Sequence, residues 1–311
     1  MKIGILSSLS LHYECVGFLC DIFKGHEISI FFTGDRFGYT RYFCALYPNI
    51  ELINTAAIPS PKTGIWDKFD YLIKLTSGDK IIDTDCGDTI RKKLFSIMHL
   101  NETPESQKIN YITLSPFVKN SGGSYIYILP VYRGLTEIQT NARIDDSFND
   151  CILHIGACGQ FDPDVVRFIK EAKYKVVFCP APKPIDVVHP NVCYMEQLNT
   201  PELIALITRC RFILGRKPIY SLKDRFAGSI ALALSHNKPM IASNWHKREY
   251  NIPCISFEED YCEVLDQINN LTTEEYKCYI DLVVAPFREY KMNENRQQFM
   301  DYLATGATNN P

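Results

Sequence analysis

Four cations crowd one short stretch of this chain. Gly215-Arg216-Lys217-Pro218-Ile219-Tyr220-Ser221-Leu222-Lys223-Asp224-Arg225-Phe226-Ala227-Gly228-Ser229 sets Arg216, Lys217, Lys223 and Arg225 against the single carboxylate of Asp224. An apolar run over 211–214 that reads as a strand precedes it, and a run over 228–236 that reads as a helix follows. The amides of Ala227, Gly228 and Ser229 would open that helix, where N–H groups lack helical acceptors and the dipole adds positive charge. Cations, open amide donors and small residues in one place make an anion site, and phosphate is the anion they suit best. A solvated basic loop before an ordinary helix would use the same residues. Position favours the anion, because the loop falls on the carboxyl edge of a predicted parallel sheet, where ligands bind.

The same edge argument places other candidates. Gly156 opens a turn over 156–160 that lets backbone approach a diphosphate closely. It lacks the full G-x-G-x-x-G spacing, so a plain tight turn accounts for it equally well. Glu196 follows a short strand and is a candidate for bonding ribose hydroxyls, or is simply a solvated acid. In the first half, His12, Asp35 and Asp79 stand at strand ends as candidates for a general base acting on a hydroxyl. His12 suits a cap or surface position as well, and Asp35 follows Gly34 as turn residues do. The histidines at 154, 189, 236 and 246 show no metal-ligand spacing, so no metal is expected.

Positioning these residues falls to alternating strands and helices. Strands are expected over 2–6, 27–32, 50–53, 69–75 and 109–114, with helices over 12–24, 40–47 and 88–100. A further apolar run covers 125–131, and the polar stretch 133–150 reads as a connection. The alternation then restarts. Strands are expected over 151–155, 175–179, 191–195, 211–214, 239–242 and 252–257. Helices are expected over 162–172 (Asp162 as cap, Pro163 first), from the cap Thr200 to about 210, and over 228–236, 260–269, 273–284 and 289–303. The fold class is therefore α/β: two Rossmann-like, doubly wound parallel-sheet domains with a cleft between them. The domains are 1–133 for an acceptor and 151–285 for a phosphate-bearing ligand, with 134–150 as linker and 286–311 as a helix returning to the first domain.

Composition limits the partners. A chain of 311 residues has room for about two domains of roughly 100–200 residues. With 46% hydrophobic and 22% charged residues, a mainly disordered chain is excluded. A net charge of −3 gives no surface-wide basic field, which disfavours nucleic acid. The 12 cysteines are scattered without C-x-x-C spacing, many in apolar contexts, and read as core filler in a reducing compartment. No run approaches the ~20 apolar residues of a membrane span. The opening Met1-Lys2-Ile3-Gly4-Ile5-Leu6 lacks a signal-peptide shape, so a cytoplasmic location is expected, in a cell or in a virus-infected host.

Residues 221–243 carry a resemblance. Ser221-Leu222-Lys223-Asp224, then Asp224-Arg225-Phe226-Ala227-Gly228, an apolar helix and Asn237-Lys238-Pro239-Met240-Ile241-Ala242-Ser243 resemble the nucleotide-sugar signature of GT-B glycosyltransferases. The resemblance implies transfer of a sugar from a nucleotide-diphosphate sugar, UDP- or GDP-linked, to an acceptor hydroxyl, with no cofactor beyond that donor. It implies a diphosphate clamp of Arg216, Lys217, Lys223 and Arg225, a nucleotide-sugar contact at Ser221, backbone donors at Gly228 and Ser229, and an orienting role for Asp224. The family's second carboxylate, which holds the donor ribose, falls on Leu232, which is expected to face the cleft. The stretch 224–228 also resembles the D-R-L-H-G of polysaccharide pyruvyltransferases, with Ala227 in place of the histidine. Gly215-Arg216-Lys217 resembles the basic G-x-K loop of phage DNA glucosyltransferases. A non-catalytic relative that binds sugar or nucleotide is the alternative outside enzymes.

Overall fold

The computed structural model describes residues 1–7, 15–34, 38–59, 64–75, 87–98, 110–116, 125–156, 163–179, 188–196, 198–217 and 228–305. The chain divides into two compact units. One takes Met1–Pro130 and the C-terminal stretch from Lys291; the other takes Val131–Tyr220 and Ala227–Tyr290.

The first unit holds a seven-stranded sheet. Its strands are β1 (Lys2–Ser7), β2 (Glu27–Phe32), β3 (Ile50–Asn54), β4 (Tyr71–Lys74), β5 (Leu94–Met98), β6 (Asn110–Thr113) and β7 (Tyr125–Tyr127). They run parallel in the order β3-β2-β1-β4-β5-β6-β7, so chain order reverses between β1 and β4. Helices α1 (Val16–Ile22), α2 (Tyr39–Leu46) and α3 (Asp88–Lys93) connect them. One face packs Leu6, Phe31, Trp66, Phe69, Leu72 and Leu94 into a core, with Phe31 edge-on to Trp66 at 4.8 Å. The reading of 88–100 as one helix is corrected here, since the helix stops at Lys93 and the chain goes straight into β5. All five residues of β5 are buried. A strand covered on both faces shows a continuous apolar run, which periodicity cannot tell from a buried helix.

The second unit holds β8 (Ile152–Ile155), β9 (Val176–Cys179), β10 (Val192–Tyr194), β11 (Phe212–Leu214), β12 (Met240–Ser243) and β13 (Ile255–Phe257), parallel in the order β10-β9-β8-β11-β12-β13. This is the Rossmann order, with its switch point between β8 and β11. The helices are α4 (Pro163–Glu171), α5 (Thr200–Arg209), α6 (Gly228–Ser235), α7 (Asn244–Glu249), α8 (Leu265–Asn270) and α9 (Thr273–Tyr279). A π turn, Ile280–Val284, joins α9 to α10 (Ala285–Thr305). The cap of α5 is Asn199 rather than Thr200. Its side chain accepts from the Glu202 amide while Glu202 bonds back, a reciprocal capping box. Helix α7 was not foreseen; Ser243 caps it.

Residues 134–150, read as a linker, are part of the second unit. They bond to α5: the Gln139 backbone N–H donates to Thr208 Oγ1 at 3.2 Å, and Arg209 reaches the Asp146 carboxylate at 2.8 Å. In the first unit the latter part of α10 buries Phe299 against Phe23 at 5.5 Å and Phe95 at 5.8 Å, and Asn295 donates to the Leu129 carbonyl. The ten cysteines among the described residues are all unbridged and six are buried, which fits core filler. Burial pushes the Cys210 and Cys254 thiols up to about 11, so they stay protonated and unreactive. Among the described residues no helix is long and apolar enough to cross a membrane.

Candidate functional site

The carboxyl edge of the second sheet is built on three glycines with different duties. Gly215 ends β11, and its N–H donates to Ile241 O at 2.7 Å. A Cβ there would lie 2.6 Å from Met240 Cε and 3.1 Å from Ile241 O, so a side chain would displace the Met240 tip and crowd the β12 carbonyl. Gly156 follows β8 with φ +117°, a backbone region glycine alone enters readily, and no atom lies within 4 Å of a would-be Cβ. Gly228 is the first residue of α6, and a Cβ there would also meet nothing within 4 Å. Gly156 and Gly215 therefore flank the switch point, and Gly156 and Gly228 leave their surroundings open for a ligand to approach backbone.

Arg216 and Lys217 leave β11 side by side, but their surroundings differ. The Lys217 ammonium closes on Asp164, the second residue of α4, in an ion pair. The Lys217 amide donates to the Tyr261 hydroxyl at 2.9 Å, and that hydroxyl donates to Gly215 O at 3.2 Å. Tyr261 is buried and its own amide bonds the same Asp164 oxygen at 3.3 Å. Lys217 thus ties the loop to α4 and Tyr261. Arg216 is half-buried near His154. Burial drives the His154 pKa down to about 4, and the Arg216 charge adds to the shift, opposed by the Leu214 carbonyl. His154 Nδ1 donates to that carbonyl at 3.0 Å, so the ring is neutral with Nε2 as acceptor.

Further residues frame this edge. Ser243 ends β12, and its hydroxyl is hydrogen-bonded with His246 Nδ1 at 2.9 Å; burial lowers His246 to about 4. Ser229 is buried in the first turn of α6. Glu196 is exposed beyond β10, and its backbone carbonyl accepts from Arg143 at 3.2 Å. Arg143 also pairs with Glu202 at 3.2 Å. Sequence reasoning missed Arg143, hidden in the supposed linker, and Tyr261, which only the fold brings to the loop.

Leu232 is corrected. It is 4% exposed, within a helix whose residues from Ser229 to Ser235 are all buried. A helix apolar on every side has no open face to offer. His12, Asp35, Asp79, Ser221, Lys223, Asp224 and Arg225 lie outside the described residues, as does Ala227. Two D-x-D triplets went unread in the sequence, at 83–85 and 162–164; of their carboxylates only Asp164 is described, and it holds Lys217. Among the described residues no group of three or more His, Cys, Asp or Glu could hold a metal ion.

No protein-family model matches this chain, and no curated protein sequence matches it. Solved structures do. A glycosyltransferase involved in avilamycin A biosynthesis, AviGT4, is similar over 98% of both chains with a TM-score of 0.60 at 10% identity. The UDP-GlcNAc 2-epimerase from Neisseria meningitidis, solved with UDP-GlcNAc bound, is similar over 98% of this chain and 100% of its own, with a TM-score of 0.51 at 11% identity. The fold is GT-B-like: two Rossmann-like units.

Proposed function

We propose that the chain is a glycosyltransferase that moves a sugar from a UDP- or GDP-sugar to an acceptor hydroxyl without a metal. The observation that carries this reading is the open, glycine-lined edge at the second switch point, with Gly156, Gly228 and the Arg216 cation around it. A diphosphate would lie along the Gly156 backbone and the α6 amides of Gly228 and Ser229. Arg216, with Lys223 and Arg225 from the adjoining loop, would meet the charge that grows on the leaving diphosphate, a duty that needs no metal. A base in the first unit, drawn from His12, Asp35 and Asp79, would take the acceptor proton. Ser221 and Asp224 would orient the donor, and Glu196 would bond its ribose. AviGT4 is described as a glycosyltransferase and the epimerase binds UDP-GlcNAc, which supports a nucleotide-sugar substrate.

A non-catalytic nucleotide-sugar binder is the second reading, favoured by buried Leu232 where a donor-binding carboxylate would stand. Release of UDP or GDP from a panel of sugar donors, with and without mixed sugar acceptors, separates the two. Turnover of at least one donor is expected. Binding without turnover for every donor would leave the binder, and neither binding nor turnover would end both readings.

A further inference from the structure

At the carboxyl edge of the second sheet a carboxylate of the chain itself stands where an anion would lie. Asp164 is the second residue of α4, the helix that follows β8, and the switch point falls between β8 and β11. A helix start at that place favours negative charge. Lys217 comes from the other side of the same switch point, just past the end of β11. Its ammonium closes on Asp164 Oδ2, and the two side chains keep 23% and 14% of their surface exposed. The same ammonium lies over the Tyr261 ring at 5.2 Å and the Phe257 ring at 6.0 Å.

Two features make Asp164 an exchangeable partner for that ammonium. Its carboxylate is half used. Oδ2 accepts from Lys217 and from the Tyr261 amide, while Oδ1 is buried and has no hydrogen-bond partner. A buried carboxylate oxygen without a donor destabilises the pair it belongs to, so this pair is easier to break than a fully bonded one. Lys217, by contrast, has anchors that do not depend on Asp164. The two rings attract a cation whichever anion neutralises it, and the Lys217 amide is bonded to the Tyr261 hydroxyl at 2.9 Å. The cation therefore keeps its place when its counter-charge changes.

We propose that Asp164 is an internal counter-ion of the anion site: it neutralises Lys217 until a diphosphate takes the ammonium over, and it thereby lowers the affinity for that diphosphate. Only the naming of the anion as part of a nucleotide sugar rests on the glycosyl-transfer reading. A diphosphate brings more charge and more acceptor oxygens than one carboxylate, and its charge-assisted bonds offset the broken pair. Asp164 stays bonded to the Tyr261 amide and repels the bound anion, which keeps a leaving diphosphate from being trapped after transfer.

Calorimetric titration of inorganic pyrophosphate into the wild type, Asp164→Asn, Lys217→Met and the double variant tests this. Asparagine keeps an oxygen for the Tyr261 amide and removes the charge; methionine keeps the lysine stem beside the rings. Asp164→Asn should bind pyrophosphate about tenfold more tightly than the wild type, and pyrophosphate should raise its thermal midpoint by more. The double variant should lose that gain. Binding by Asp164→Asn that is absent, or equal to or weaker than wild type, would overturn the counter-ion and leave Asp164 an anchor of the loop. A gain that persists in the double variant would overturn it as well. If Asp164→Asn does not fold, Lys217→Met decides: pyrophosphate binding about tenfold weaker than wild type is expected, and unchanged binding overturns the exchange. UDP and GDP titrated into the same samples keep the readings apart, since a pyrophosphate gain without nucleotide binding sinks the transfer reading and leaves the counter-ion standing.

Discussion

Among single residues, Tyr261 shows how a charged loop is held in place. Its hydroxyl sits between the Lys217 amide and the Gly215 carbonyl, while its ring packs tilted against Phe257 in the core, with centroids 4.4 Å apart. Tyr261→Phe should keep the ring packing and strand both backbone groups, lowering stability by about 1–3 kcal/mol in urea unfolding. Nucleotide affinity should fall with it, because Arg216 follows Gly215 directly. A variant equal to wild type in both measurements would show that the hydroxyl does not hold the loop. The cations here were legible as charges, and the partners of Lys217 were not. Lys217 meets Asp164 from 53 positions away in the chain, and Tyr261 from 44, distances that no local spacing reports. Glycine was more readable. Gly156 and Gly228 were singled out from their places after a strand and before a helix, and both prove to have open surroundings.

Elements were legible where their pattern was amphipathic or capped, and failed where burial was complete. The start of α4 at Pro163 came from residue type alone. Strand β5 and helix α6 did not yield, because an element buried on all sides has no polar face to mark its period. Helix α6 therefore reverses one expectation. Leu232→Glu would bury an unpaired carboxylate, and it should destabilise by several kcal/mol rather than tighten donor binding. A variant as stable as wild type in thermal unfolding would mean that the position opens to solvent after all. Three buried histidines on these elements also set an acid limit. His154, His236 and His246 are each lowered from 6.5 to about 4, chiefly by burial. With the folded value below the unfolded one, protons favour the unfolded chain. Their contribution is complete above about pH 6.5 and declines as pH falls toward 4, by up to about 3 kcal/mol for each ring. Urea unfolding free energies measured from pH 7.5 to 4.5 should drop accordingly, and a flat profile would contradict the burial of these rings.

At the scale of the whole molecule, the chain is built on two parallel sheets. The restart of strand and helix signals at Cys151 made both units legible, since each alternation needs its own sheet. The boundary was harder to see, because polar residues such as Arg143 and Asp146 bond within the second unit and imitate a solvated linker. At its switch point the second sheet carries open glycines beside an arginine. Gly228 gives the sharpest test of this edge. Alanine fits there without contact and favours a helix by up to about 1 kcal/mol, so the fold alone has no need of glycine. The decisive measurement is calorimetric titration of UDP and GDP into wild type and Gly228→Ala. The expected result is one-to-one binding of at least one nucleotide by wild type, weakened about tenfold or more in Gly228→Ala at an equal or higher thermal midpoint. Binding of neither nucleotide by wild type, or equal binding by Gly228→Ala, would contradict a diphosphate site at this edge.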